Sequence, residues 1–130
     1  GAGELAFIFE IPLLAEDPRK YSLSASSVPL TGSGTVTNLG NYPTSPVITL
    51  TDGGNYTITN TTQGAGASLI LVGVPAGTVV DMRARTVMSG TTDWYAAVDA
   101  TSVWWELLPG GNVITKTGGA ASISWRDAWL

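Results

Sequence analysis

Residues 104–117 read WWELLPGGNVITKT. An aromatic and apolar run stops at Pro109, turns through Gly110 and Gly111, and resumes as Asn112-Val113-Ile114-Thr115. Proline has no amide to donate to a sheet ladder, and glycine tolerates the positive φ that a tight turn can require. The apolar groups on both sides need a core. The stretch therefore reads as a corner between two late strands of an all-β domain.

The rest of the chain agrees with this corner. Upstream, residues 35–38, 47–51, 56–59 and 68–72 alternate or run apolar, and turn residues separate them. Asp52-Gly53-Gly54-Asn55 is a hairpin signal, and Val74-Pro75-Ala76-Gly77 is a second turn. Residues 78–88, TVVDMRARTVM, form either one long strand or two with an irregularity between them. Val80, Met82, Ala84, Thr86 and Met88 make the better core face, and Asp81 and Arg83 are same-face neighbours on the other. Ser89-Gly90-Thr91-Thr92 is a hairpin turn, and a strand over 94–98 follows. Downstream of the corner, Ile114 faces inward, and Lys116 shares its parity near an open end. Gly118-Gly119 leads into 121–125, where Ala121, Ile123 and Trp125 alternate with Ser122 and Ser124. No window holds a 3.6-residue apolar period for three turns, and glycines interrupt the long windows, so helix has little support. The expected fold is an antiparallel β-sandwich of jelly-roll type.

The N-terminal part differs. Residues 4–14 alternate Leu5, Phe7 and Phe9 against Ala6 and Ile8, a strand with two apolar faces that needs cover on both. AEDPRKY, residues 15–21, is the most charged segment and reads as a connector. The division expected is 1–21 as strand and connector, and 22–130 as the sandwich domain.

Composition excludes several functions. The chain has no Cys and no His, which removes disulfides, His/Cys zinc sites and histidine- or cysteine-based catalysis. Net charge is −4, and Lys and Arg form no run beyond Arg19-Lys20, so a nucleic-acid footprint is missing. The same charge balance disfavours an anionic membrane surface, and no apolar stretch approaches the ~20 residues that span a bilayer. Asp and Glu are single and scattered, without the paired spacing of a glycosidase or the ligand spacing of a calcium loop. No enzyme activity, metal or cofactor is expected.

The aromatic residues crowd the C-terminal third. Trp94, Trp105 and Trp125 fall on expected inner faces. Trp104, Tyr95 and Trp129 are the candidates for a protein interface or a glycan contact, because rigid rings supply contact area for either. Trp129 stands near the terminus, where it could close one end of the sandwich.

Two motifs carry a family resemblance. Asn38-Leu39-Gly40-Asn41 is followed by Pro46-Val47-Ile48. Much later comes Trp105-Glu106-Leu107-Leu108-Pro109-Gly110-Gly111-Asn112-Val113-Ile114. Together they resemble the C-terminal domain of siphophage distal tail proteins and related tail components. The closing Ser122-Ile123-Ser124-Trp125-Arg126-Asp127-Ala128-Trp129 resembles that family's last strand, and residues 7–21 resemble the segment joining a ring-forming N-terminal domain to it. The resemblance implies a galectin-like β-sandwich at the tail tip of a virion. It implies no catalysis, contacts with other tail or baseplate proteins, and a homo-hexamer only in the full-length protein. Asn38, Gly40, Pro46, Trp105, Leu107, Pro109, Gly110 and Asn112 would fix loops and strand starts. Sugar binding does not follow from the fold, since galectin sites use a histidine that this chain lacks. A module recognising host cell-wall polysaccharide is the alternative function.

Overall fold

The computed structural model describes residues 20–64 and 66–130. The strand expected over 4–14 lies outside them. In chain order the described strands are β1 (Lys20–Tyr21), β2 (Ser26–Leu30), β3 (Ser33–Asn38), β4 (Val47–Leu50), β5 (Gly54–Asn60) and β6 (Ser68–Val74). They continue as β7 (Thr78–Asp81), β8 (Thr86–Ser89), β9 (Thr92–Asp93), β10 (Gly110–Thr117), β11 (Ala121–Trp125) and β12 (Ala128–Trp129). A single turn of 3-10 helix covers Tyr95–Ala97.

Two antiparallel sheets face each other. The larger has the order β9-β8-β7-β4-β11-β2 and the smaller β3-β10-β5-β6, while β12 and β1 form a separate ribbon. Alternation along each strand decides what lies between the sheets. Ile48, Leu50, Val80, Val87 and Ile123 come from the larger sheet, and Val36, Tyr56, Ile58, Leu69, Leu71 and Ile114 from the smaller. Removing this much apolar surface from water is the main force that holds the two layers together. The sequence expectation of an all-β sandwich is met.

Several local expectations need correction. Asp52-Gly53-Gly54-Asn55 does not close a hairpin. Its flanking strands lie in different sheets, β4 pairing β7 and β11 and β5 pairing β6 and β10. The turn is a crossover, stitched to a second crossover at 118–120. Thr51 and Asp52 both donate their amides to the Ala120 carbonyl, and Ala120 N–H donates to Asp52 Oδ2. The stretch 78–88 is not one strand. β7 and β8 form a hairpin, Val80 opposite Val87, around a turn in which Arg85 takes a left-handed φ of 56°. That turn shifts the parity, so Val87 is buried while Ala84 and Thr86 are exposed. Asp81 meets Arg83 through the main chain, because Asp81 Oδ1 accepts the amides of Arg83 and Ala84. The strand expected at 94–98 is helical instead. Asp93 Oδ1 accepts the Tyr95 amide and starts the tight turn, leaving Trp94 half-buried against the core. The expected strand before the corner is irregular backbone up to Leu107, and β2 forms where only a weakly periodic stretch was read.

Candidate functional site

Two regions gather the residues singled out by sequence. The first is the corner. Residues 103–109 run outside any ladder, apart from single bridges of Leu107 to Thr44 and Pro109 to Asn38. Buried backbone groups in such a segment need other partners. Three buried asparagines supply them. Asn112 Oδ1 accepts the Leu108 amide at 2.8 Å, and Asn112 Nδ2 donates to the carbonyls of Leu108 at 2.8 Å and Gly110 at 3.0 Å. Asn60 Nδ2 donates to the Glu106 carbonyl at 2.8 Å and to Asn112 Oδ1 at 3.1 Å. Asn38 Nδ2 donates to the carbonyls of Tyr42 and Leu107, and its Oδ1 accepts the amides of Gly40 and Ala128. Leu107 and Thr44 exchange both of their backbone bonds.

The corner thus joins Asn38, Leu107, Pro109, Gly110 and Asn112. Gly110 adopts φ 90°, a conformation glycine reaches without a Cβ penalty. Trp105 is fully buried and donates its indole N–H to the Ile58 carbonyl at 3.0 Å. Gly40 lies against the C-terminal ribbon, where a Cβ would come within 1.7 Å of the Ala128 carbonyl oxygen. Pro46 stands apart from the corner. It is buried just before β4, and its carbonyl accepts the Met82 amide. The sequence reading missed Asn60. Its signal was the alternation Tyr56-Ile58-Asn60, which continues the inner face of β5 to a polar end.

The second region is an aromatic and basic face. Tyr95 and Trp104 stack with ring centroids 6.2 Å apart and planes inclined by 15°. Two of the three candidate contact residues therefore share one site, with Tyr95 49% exposed and Trp104 half-buried. Trp129 is elsewhere, on the β12–β1 ribbon opposite Lys20. Beside the stack opens a cavity of about 370 Å³ lined by Ser45, Arg83, Arg85, Trp104 and Glu106 among others. Ser45 Oγ donates to Glu106 Oε2 at 3.2 Å. A neighbouring cavity of about 230 Å³ shares Ser45 and Arg83 and adds Tyr21, Trp125 and Arg126. Arg83 lies 5.7 Å from the centroid of the Tyr21 ring, within cation–π range. These arginines were invisible as a group in sequence, because 41 positions separate Arg85 from Arg126 (126 − 85).

Among the described residues no three His, Cys, Asp or Glu side chains gather as a metal site, and no helix is long and apolar enough to cross a membrane. One shifted acid, Asp99, is held below the ordinary carboxylate range by the Thr101 hydroxyl and amide, as in a tight polar loop.

Fold and site together define a β-sandwich of the structural class, with its buried polar groups committed to holding loops in place. Residues 39–129 match the family described as siphovirus-type tail component, C-terminal domain, and the chain belongs to that family. Membership makes it a component of a siphovirus-type tail, and so of the virion. Its fold is similar to that of SPP1 Dit (gp 19.1), described as a paradigm of the hub adsorption apparatus in Gram-positive-infecting phages. The TM-score is 0.75 at 22% identity, over 88% of this chain and 50% of that one. The chain thus spans half the length of that protein. A search of curated protein sequences gives no significant match.

Proposed function

We propose that this chain acts as the peripheral domain of a distal tail or baseplate hub protein, where it holds contacts to other tail proteins. The observation that carries this reading is the family match over 39–129. It is supported by a corner in which Asn38, Asn60 and Asn112 are committed to backbone groups, an arrangement that fixes shape and leaves these side chains little capacity for a ligand. In this reading residues 22–130 are the sandwich and 1–21 the connector from a ring-forming domain, and the homo-hexamer belongs to the full-length protein. Asn38, Gly40, Pro46, Trp105, Leu107, Pro109, Gly110 and Asn112 hold loops and strand starts, and Trp129 is a protein-contact residue on the terminal ribbon. The test is sedimentation of the full-length protein together with pull-down against the other tail proteins. A hexamer that captures at least one of them is expected. A monomer that captures none removes the reading.

A second reading has its own observation. The stacked Tyr95 and Trp104 rings stand beside an open polar cavity, an arrangement suited to a sugar ring of host cell-wall polysaccharide. Saturable binding of a cell-wall saccharide, lost on Trp104→Ala, is its expected result. A flat titration rejects it.

A further inference from the structure

Exposed apolar side chains scattered singly are normal on a protein surface, and a cluster of them is not. Among the described residues, the three most exposed large apolar side chains are Leu23, Leu39 and Leu130, at 96%, 74% and 66%. All three flank the β12–β1 ribbon, and exposed Trp129 of that ribbon joins them. Hydrogen bonds hold their backbones together. Leu39 donates its amide to Asp127 Oδ1, and Leu130 donates its amide to Asn41 Oδ1. Ser22, next to Leu23, donates its amide to the Asp127 carbonyl. The patch is a product of the fold, since 107 positions separate Leu23 from Leu130 (130 − 23).

The ribbon beneath is well anchored. Ala128 is fully buried, so Trp129, the next residue of the strand, points to the opposite face. Buried Asp127 accepts the Trp125 indole N–H as well as the Leu39 amide. A surface fixed in this way loses little entropy when it is covered.

The course of the chain itself says what covers it. β1 begins at Lys20, directly opposite Trp129. Upstream and outside the described residues, positions 5–14 read LAFIFEIPLL, an apolar run with one charge that needs cover on both faces. Only residues 15–19 stand between, so at most about 22 Å of chain joins Leu14 to Lys20. Asp17-Pro18 is a turn signal within that link. A tether this short gives the run an effective concentration of about millimolar at the ribbon, an advantage that a separate protein or a second copy lacks.

We propose that this patch is the seat of the chain's own upstream run, which turns back at Asp17-Pro18 and lays its Leu13-Leu14 end over Leu39, Trp129 and Leu130. The inference goes beyond the hub reading and does not depend on which tail proteins the domain contacts.

The test uses the 130-residue chain, whose lack of native cysteine makes introduced pairs unambiguous. Leu14→Cys is combined with Leu39→Cys, and disulfide formation is followed in dilute solution. The same pair is then placed in a chain that also carries Trp129→Ala and Leu130→Ser, which keeps the tether and removes the seat. The intramolecular disulfide is expected to form about tenfold or more faster in the first chain, because a seated end has a higher effective concentration than a merely tethered one. A second measurement leaves the sandwich untouched. Leu13→Ser with Leu14→Ser should move the Trp129 indole N–H resonance and raise its solvent exchange. Equal disulfide rates would overturn the proposal. An unmoved Trp129 resonance would overturn it whatever the rates show. Disulfides formed only between chains would overturn it as well and give the patch to a second copy. None of these failures bears on the hub reading, which stands or falls on the hexamer and pull-down result.

Discussion

Asn112 does for Leu108 what a neighbouring strand does elsewhere, since one side chain supplies an acceptor and a donor to a residue outside the ladder, and it donates as well to the Gly110 carbonyl where β10 begins. It is fully buried, and its loss strips partners from the amide and carbonyl of half-buried Leu108 and from the buried Asn60 Nδ2. Each unpaired buried group costs about 1–3 kcal/mol. Asn112→Ala is expected to lower unfolding stability by about 2–4 kcal/mol, seen as a lower urea midpoint at unchanged m-value. A loss below 0.5 kcal/mol, within the scatter of ordinary surface substitutions, would contradict the assigned role.

Tyr56 works similarly at the crossovers. Its hydroxyl is shared between the carbonyls of Asp52 at 2.7 Å and Ala120 at 3.0 Å. Burial pushes the phenol above its ordinary value of 10.0, and the Asp52 charge adds to this. The unfolded chain then releases the proton first. Stability from this group is present below about pH 10 and is lost as pH rises through the higher folded-state value. Tyr56→Phe should cost about 0.5–1.5 kcal/mol at neutral pH. The gap in melting temperature to the parent should narrow from pH 8 to pH 11, and a gap that stays constant would refute the assignment. At this scale the sequence marked Asn38 and Asn112 as motif residues. Their hydrogen bonds were not legible, because an asparagine's partners here lie up to 90 positions away.

At the scale of elements, a hairpin signal was read correctly where it closes within one sheet. Ser89-Gly90-Thr91-Thr92 joins β8 to β9 with Gly90 at φ 61°. Asp52-Gly53-Gly54-Asn55 has the same kind of composition but changes sheets. Local turn chemistry fixes that the chain reverses, and the packing of its flanking strands decides which neighbour each one pairs with. The terminal ribbon shows the strongest local constraint. Its strand β12 lies on Gly40, with Tyr42 N–H donating to the Ala128 carbonyl and Leu39 N–H to Asp127 Oδ1. Gly40→Ala would place a methyl group on the Ala128 carbonyl. A destabilisation of about 2–4 kcal/mol is expected. The Tyr42 and Ala128 amides should lose more exchange protection than those of Ile58 and Ile114. Equal loss at all four sites would mean that the ribbon is not separately held.

For the whole molecule, topology sets the folding time. Among the described strands, the ladders β10–β3, β11–β2 and β11–β4 join residues far apart in sequence, and the hairpins are β5–β6, β7–β8 and β8–β9. Loop-closure entropy must be overcome before such contacts form. Refolding followed by tryptophan fluorescence, with buried Trp105 as a reporter, is expected in the millisecond-to-second range. A microsecond phase carrying the full amplitude would show that the native ladders are not limiting.

Local chemistry determined a great deal. Two-residue alternation set most strands and their inner faces, and Gly, Pro and Asp clusters set the reversals. The absence of His and Cys removed whole classes of chemistry, and the paired Asn/Pro/Gly motifs pointed to the family. These signals act over a few residues, so they survive in a linear reading. Tertiary structure alone decided which turns cross between sheets and which asparagines tie the corner. It also brought Arg83, Arg85 and Arg126 around one double cavity beside Tyr95 and Trp104. Those outcomes depend on long-range pairing, where contact is set by the packing of two sheets and not by distance along the chain.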